Sequence, residues 1–176
     1  RNIDIMGIVN LTDDSYFAQS RCAGVDAAME RVETLIREGA DILDFGACST
    51  RPGSVPVGPQ QEWNRLEPVL RELRKRWPDV RISVDTWWSE IVSRTFDLIG
   101  DFIINDISAG EDDKDMLATA GNLGLTYVAM HKRGTSVNMQ QLTDYDDVVA
   151  DVIAYFESFA QKASKAGIRD WVVDPG

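Results

Sequence analysis

The chain has 176 residues, of which 44% are hydrophobic and 27% are charged. This length allows one domain with a sizeable core, and the mixture is that of an ordinary globular protein. The formal net charge of −11 opposes binding to nucleic acid or to an anionic membrane, and no segment approaches the roughly 18 apolar residues of a membrane span. Cys22 and Cys48 lack the spacing of metal ligands and are too few for a disulfide framework, which predicts free thiols in a cytoplasmic protein.

Six short apolar segments are predicted to be β-strands. They are rich in Ile and Val and nearly continuous, which is typical of parallel strands that are covered on both faces. In chain order they are residues 4–10, 41–46, 81–86, 101–108, 126–131 and 170–174.

Segments of helical periodicity alternate with these strands. Apolar residues repeat along one helical face in residues 25–36, 63–73, 91–99 and 148–159, and a weaker pattern covers residues 113–123. A glycine ends each of four helical segments shortly before the next strand, where a positive φ is often needed. These glycines are Gly39, Gly100, Gly124 and Gly167. The chain is therefore predicted to repeat a strand–helix unit with short turns after the helices.

This repeat predicts an α/β fold of the (β/α)8 TIM barrel type. Long polar segments follow the strands at residues 11–24, 47–60 and 132–145, and a barrel places its active site at that end of the strands. A doubly wound open sheet is the alternative, but it usually has a glycine-rich phosphate turn after its first strand, which this chain lacks. Because about six of eight units are present, we expect residues 1–176 to form a single barrel domain that lacks its C-terminal portion after the sixth strand.

A polar residue stands at the end of each predicted strand. Since the strand ends of a parallel barrel converge, we expect these residues around one pocket. Carboxylates and amides gathered there suit a ligand rich in N–H donors or a hard divalent cation, although a single acidic residue at a strand end is also a common helix cap. We expect a structural role for the histidine, which has no catalytic partner at an interpretable spacing. The polar residues at the ends of the predicted strands are Asn10, Asp44, Asp85, Asn105 with Asp106, His131 and Asp174.

The turn after the second strand, Ser49-Thr50-Arg51-Pro52-Gly53, carries the most specific pattern in the chain. An arginine fork beside two hydroxyl groups in a rigid turn fits recognition of an oxyanion or a carboxylate. A surface arginine paired with a nearby glutamate fits the same spacing.

Taken in order, these segments resemble the dihydropteroate synthase family of pterin-binding enzymes. Residues 6–15 (MGIVNLTDDS) look like its first signature and residues 44–53 (DFGACSTRPG) like its second. Four further segments follow in the order of the family: residues 83–86, 104–106, 130–135 and 174–176. The resemblance covers essentially the whole chain.

The resemblance implies an enzyme of folate biosynthesis that joins 4-aminobenzoate to 7,8-dihydro-6-hydroxymethylpterin diphosphate and releases pyrophosphate. It implies that Mg2+ binds at Asn10 together with the diphosphate, and that the catalytic residues are Asp85, Asp14 and Arg51. It implies a pterin site formed by Asp85, Asn105 and Asp174, a 4-aminobenzoate site at Ser49, Thr50 and Arg51, and a first loop containing Asp14, Ser15 and Tyr16.

The resemblance further implies a cytoplasmic homodimer and a target for sulfonamides. Tyr16 stands where the family commonly has Phe, and Asp13 where many relatives have Pro. The later basic residues of the family have no counterpart in these 176 residues. Two alternatives stay open, which are a pterin-binding methyltransferase domain and a non-catalytic barrel relative.

Overall fold

The computed structural model describes residues 3–11, 20–48, 57–131 and 148–176. Strands and helices alternate along these residues. The strands are β1 (Met6–Asn10), β2 (Ile42–Gly46), β3 (Arg81–Asp85), β4 (Ile103–Asp106), β5 (Thr126–Met130) and β6 (Trp171–Asp174). The helices are α1 (Arg21–Glu38), α2 (Pro59–Arg76), α3 (Ser89–Ile99), α4 (Met116–Leu123) and α5 (Val148–Ala166).

The six strands form one parallel sheet in which each strand pairs with the next along the chain. This sequential order has no point at which the direction of winding reverses, so the doubly wound open sheet is the wrong alternative. Each helix also contacts the following helix, from α1 to α5. The described chain therefore contains five successive units of the predicted (β/α) barrel and the strand of a sixth.

The core lies between the sheet and the helices. Every second strand residue packs there, as Leu43 and Phe45 of β2 do, against apolar side chains such as Val32 of α1 and Leu70 of α2. Because side chains alternate between the two faces of a strand, the intervening residues point to the opposite face, which we call the inner face. The inner face is more open at the edge strands, where Ile8 is 63% exposed and Val172 is 53% exposed.

The strand register arranges the inner-face residues in rows. The lower row contains Ile8, Asp44, Ser83, Ile103 and Thr126. The upper row contains Asn10, Gly46, Asp85, Asn105, Val128 and Val172. The upper row is nearer the carboxyl ends of the strands, where a barrel enzyme binds its ligands.

The turns that follow the helices agree with the predicted role of glycine. Gly39 ends α1 with a φ of 99°, and Gly124 ends α4 with a φ of 68°. At the start of α1, Oγ of Ser20 accepts a hydrogen bond of 3.0 Å from the backbone N–H of Ala23, which satisfies one of the free donors of the first turn. The terminal glycines were predicted from the sequence, whereas the start of α1 at Arg21 lies four residues before the predicted periodic segment.

Helices α4 and α5 pack at a distance that requires a glycine. A Cβ atom on Gly121 would lie 1.8 Å from the carbonyl oxygen of Ala166, far inside a van der Waals contact. α4 is the helix with the weakest periodicity, and this contact leaves no room for a side chain at position 121. It begins at Met116, three residues after the predicted start, because residues 113–115 form a turn instead.

The observed strands are shorter than the predicted ones by one to four residues. The predicted segment 101–108 contracts most, to β4, because residues 107–110 form a turn that is held by Asp106. Among the described helices, none is both long and apolar enough to cross a membrane.

Candidate functional site

The candidate site is the inner face at the level of the upper row. Asn10, Asp85 and Asn105 all lie in this row, and Asp85 and Asn105 are direct partners on neighbouring strands. Gly46 separates Asn10 from Asp85, and a Cβ there would lie 3.5 Å from Cβ and from Oδ2 of Asp85. The structure thus brings together three of the residues that the sequence predicted for the site.

Asp174 belongs to the same face, one level further toward the strand ends. It pairs in register with Met130 of β5, which follows the upper-row residue Val128 by two positions. Its side chain is exposed, and its Oδ1 accepts a hydrogen bond of 3.0 Å from the backbone N–H of Gly176. Asp174 is therefore a hydrogen-bond acceptor one level beyond the upper row, on the strand next to β5.

Asp85 is a partly buried carboxyl group in an acidic environment. Burial raises its pKa from 3.8 to about 7, and the negative charges of Asp44, Asp106 and Glu62 add to the increase. A carboxylate in this position is poorly solvated, and a ligand with N–H donors or positive charge could stabilise it in place of water. Asp85 is therefore the group in the upper row that is best prepared to bind such a ligand.

Asp44 does not end its strand, and in this respect its predicted position was wrong. It is the middle residue of β2 and lies in the lower row, 4% exposed. Its Oδ1 accepts hydrogen bonds from Oγ of Ser83 at 2.6 Å and from Nδ2 of Asn105 at 3.4 Å. Burial raises the pKa of Asp44, and these two hydrogen bonds counter that effect. Asp44 therefore supports the site from below.

Asp106 was also expected at the pocket, but its side chain points to the helix side of the sheet. It is adjacent to Asn105, so the alternation of a strand places the two on opposite faces. Its carboxylate accepts hydrogen bonds from the backbone N–H groups of Ser108 and Gly110 and from the hydroxyl of Tyr127. Asp106 is a structural residue that fixes the turn after β4.

His131 also packs on the helix side, where it contacts α5. Its ring stands edge-on to Tyr155, with 4.8 Å between the ring centroids, and also contacts Phe156. Its backbone N–H donates to the carbonyl oxygen of Asp174 at 2.8 Å. The expected structural role of His131 agrees with this packing, and the expectation that it faces the pocket was wrong.

Glu62 is a site-related residue that the sequence did not single out. It lies in the first turn of α2 and is 2% exposed, with Oε1 at 3.5 Å from Oγ1 of Thr86, the residue after Asp85. Burial raises its pKa from 4.5 to about 7, while Trp88, Thr86 and Arg65 lower it. In the described part of the chain, neither Oε2 of Glu62 nor Nε1 of Trp88 has a hydrogen bond of normal geometry.

The loop residues predicted for the site lie outside the described residues. These are Asp14, Ser15 and Tyr16 of the first loop and Ser49, Thr50 and Arg51 of the second. The described residues next to the second loop are well anchored, since Nη1 of Arg65 donates to the carbonyl oxygen of Ala47 at 3.3 Å. Cys22 and Cys48 are not joined in a disulfide. Burial, followed by the charge of Glu62, raises the pKa of Cys48, which disfavours a reactive thiolate.

The described residues contain no cluster of three or more His, Cys, Asp or Glu side chains that could hold a metal ion. Asn10 offers one amide oxygen at an exposed strand end. Mg2+ commonly binds through one or two protein oxygens and completes its shell with water and substrate phosphates. Of the donors that the described residues supply, the amide of Asn10 therefore fits a metal that arrives with a phosphorylated ligand.

Comparison with known proteins gives consistent matches over the whole described site. Residues 6–176 match the family described as pterin binding enzyme. The chain is 40% identical over 181 residues to a dihydropteroate synthase from Neisseria meningitidis serogroup C, covering 98% of this chain and 61% of the relative.

Solved structures agree with these sequence matches. A Yersinia pestis dihydropteroate synthase with a sulfonamide drug complex has a TM-score of 0.88 at 33% identity, covering 98% of this chain and 62% of that one. A Xanthomonas albilineans dihydropteroate synthase with 4-aminobenzoic acid has a TM-score of 0.83 at 35% identity, covering 98% and 61%. This chain thus spans about three fifths of the length of these relatives.

Proposed function

The chain belongs to the pterin binding enzyme family, and from this we propose that the full-length protein is a dihydropteroate synthase of folate biosynthesis. In the proposed reaction, the carbon–oxygen bond to the diphosphate of 7,8-dihydro-6-hydroxymethylpterin diphosphate breaks, and pyrophosphate leaves a delocalised pterin cation. The amino nitrogen of 4-aminobenzoate then attacks the methylene carbon and loses a proton. The products are 7,8-dihydropteroate and pyrophosphate.

The observation that carries this proposal is the pairing of Asp85 and Asn105 in the upper row, with Asp174 one level above. A pterin ring has an edge of N–H donors, and carboxylate and amide oxygens are suitable acceptors for it. We propose that these three residues hold the pterin ring on the inner face. The ring would then lie at the carboxyl ends of the strands, where barrel enzymes bind their substrates.

The electrostatics of Asp85 support a catalytic role in addition to binding. Departure of pyrophosphate leaves positive charge on the pterin, and a fixed carboxylate stabilises that charge without reorganising. Because burial and the charges of Asp44, Asp106 and Glu62 raise the pKa of Asp85 to about 7, its ionised form gains most from a cationic partner. Asp85 would therefore stabilise the developing cation more strongly than the neutral substrate.

We propose that the second loop, with Ser49, Thr50 and Arg51, organises the 4-aminobenzoate half of the site. An arginine fork matches the geometry of a carboxylate such as that of 4-aminobenzoate. Asp14, Ser15 and Tyr16 would belong to the first loop over the site. A relative whose structure was solved with 4-aminobenzoic acid supports this substrate.

Mg2+ is proposed as the metal, with Asn10 as its protein ligand. When bound, the ion would neutralise charge on the departing diphosphate. The position of Asn10 in the same row as Asp85, on the other side of Gly46, supports this arrangement. We also propose a cytoplasmic homodimer, which rests on the family resemblance.

The test is a pyrophosphate-release assay on the full-length protein with Mg2+, the pterin diphosphate and 4-aminobenzoate. We expect release that depends on both substrates and that falls sharply in Asp85→Asn, whose side chain keeps its shape but loses its charge. Pterin binding without any product, under conditions where the protein is folded, would favour the non-catalytic relative instead.

A further inference from the structure

We propose that Asp44 is a positioning residue that sets the ligand preference of the site by fixing the orientation of the Asn105 amide. This inference rests on the proposed function, because it concerns how the same pocket recognises a pterin. Asp44 touches neither the proposed ring position nor the reacting atoms. Its effect would be exerted entirely through Asn105.

Asp44 of β2 is in hydrogen-bond contact with Asn105 of β4, across the intervening strand β3. Asp44 lies in the lower row and Asn105 in the upper row, and Nδ2 of Asn105 donates to Oδ1 of Asp44 at 3.4 Å. Oγ of Ser83 donates to the same oxygen at 2.6 Å. Asp44 is 4% exposed, so solvent does not compete strongly for these hydrogen bonds, which are stronger when the acceptor is charged.

A carboxylate beside an amide allows only one amide orientation. An ionised aspartate accepts hydrogen bonds and donates none, whereas an asparagine side chain has one accepting and one donating end. Rotation of the Asn105 amide by a half turn would place Oδ1 against the Asp44 carboxylate, leaving two acceptors in contact in a partly buried position. Asp44 therefore holds Nδ2 toward itself and leaves Oδ1 for another partner.

This orientation has a consequence for the chemical class of the ligand. Among the described residues, none donates a hydrogen bond to Oδ1 of Asn105, and the carboxylate of Asp85 lies beside it in the upper row, so the site presents neighbouring acceptors. The complementary ligand edge carries N–H donors, as a 2-amino-4-oxo pterin does. A ring with a carbonyl group in place of the 2-amino group would set an acceptor against Oδ1, and buried groups left unpaired in this way cause strong rejection.

The experiment compares the binding of two probes, 6-hydroxymethylpterin and 6-hydroxymethyllumazine, which has a carbonyl where the pterin has its 2-amino group. Calorimetry on the full-length protein would give the ratio of their dissociation constants. We expect the native protein to prefer the pterin by roughly tenfold or more. Failure of the native protein to bind the pterin would count against the proposed function and would not bear on Asp44.

The informative variants are Asp44→Leu and Ser83→Ala. Leucine keeps the branched shape of aspartate and removes the acceptor, so the Asn105 amide becomes free to rotate and the preference should fall to within about threefold, the loss expected for one oriented hydrogen bond. Ser83→Ala is the matched control, because it removes the other donor to the same oxygen and leaves the Asn105 contact in place. The Ser83→Ala variant should keep the native preference for the pterin over the lumazine.

A donor–acceptor exchange supplies a second test, which also applies if Asp44→Leu does not fold. Asn105→Asp sets two carboxylates against each other and should weaken pterin binding by at least tenfold. The double variant D44N/N105D exchanges the two side chains, so that an amide at position 44 donates to a carboxylate at position 105. This variant should bind the pterin more tightly than Asn105→Asp does. The proposal is overturned if folded Asp44→Leu keeps the native preference, if Ser83→Ala loses it equally, or if the exchange recovers nothing.

Discussion

Replacement of Glu62 by glutamine should make the protein more stable at neutral and alkaline pH. The side chain is 2% exposed, and burial raises its pKa from 4.5 to about 7. Between pH 4.5 and 7 the folded chain therefore binds more protons at this residue than the unfolded chain. The stability that the protonated Glu62 carboxyl group contributes is therefore fully present below pH 4.5 and is lost as the pH rises through 7.

The size of the effect follows from the size of the shift. A rise from 4.5 to about 7 corresponds to about 3 kcal/mol once Glu62 is fully ionised, at about 1.4 kcal/mol for each pKa unit. Glutamine has the same shape and stays neutral, and its amide can donate to Oγ1 of Thr86, which lies 3.5 Å from Oε1 of Glu62. The advantage of Glu62→Gln should grow from near zero at pH 4.5 to at most about 3 kcal/mol above pH 8.

Urea denaturation of the full-length protein between pH 5 and 9 measures this difference. Glu72→Gln is the matched control on the same helix, because Glu72 pairs with Lys75 and Arg76 at the surface. Exposed pairs contribute little, so the control should differ from the native protein by less than about 1 kcal/mol with no trend in this pH range. A Glu62→Gln advantage that does not change with pH would refute the reasoning.

Three further predictions concern binding and packing. The affinity for neutral 6-hydroxymethylpterin should increase as the pH rises from 5.5 through about 7, because the raised pKa of Asp85 leaves it protonated at lower pH; calorimetry should show a flat profile for Asp85→Asn. Arg51→Ala should raise the KM for 4-aminobenzoate much more than it weakens pterin binding, and equal effects on both ligands in steady-state and calorimetric measurements would remove its assignment. Gly121→Ala should lower the free energy of unfolding by about 1–3 kcal/mol or more, because its Cβ would lie 1.8 Å from the carbonyl oxygen of Ala166. Gly58→Ala, whose new Cβ would have no atom of the described residues within 4 Å, should change stability by well under that amount in the same urea titration.

The order of strands and helices could be predicted because each signal is local. Apolar runs of four to six residues, helical stripes and terminal glycines such as Gly39 are properties of neighbouring residues, and the structure confirms them. The ends of the strands were less predictable. The apolar run of β4 continues into a turn that is stabilised by hydrogen bonds to Asp106. The hydrophobicity of the run does not indicate where the strand ends and the turn begins.

The strands that contribute to the candidate site could be predicted from the sequence. The side chains that face inward could be predicted less well. Asn105 and Asp106 are neighbours in sequence, and only the strand register tells which one faces the pocket. Asp44 is two residues before the strand end, and the same register places it in the lower row of the inner face. Glu62 resembles an ordinary acidic residue in the first turn of a helix, and only the packing of α2 against the sheet makes it buried.

Gly46 gives the upper row a position without a side chain. Asn10 and Asp85 lie on either side of it, so the strip between the proposed metal ligand and the proposed pterin residue is bare backbone. A ligand that extends from one to the other can lie flat against this strip, and a small substituent at that point of an inhibitor would find room. Alanine at this position would reduce that space by one methyl group at ordinary contact distance, 3.5 Å from Oδ2 of Asp85, so long bridging ligands should lose affinity while compact ones keep it.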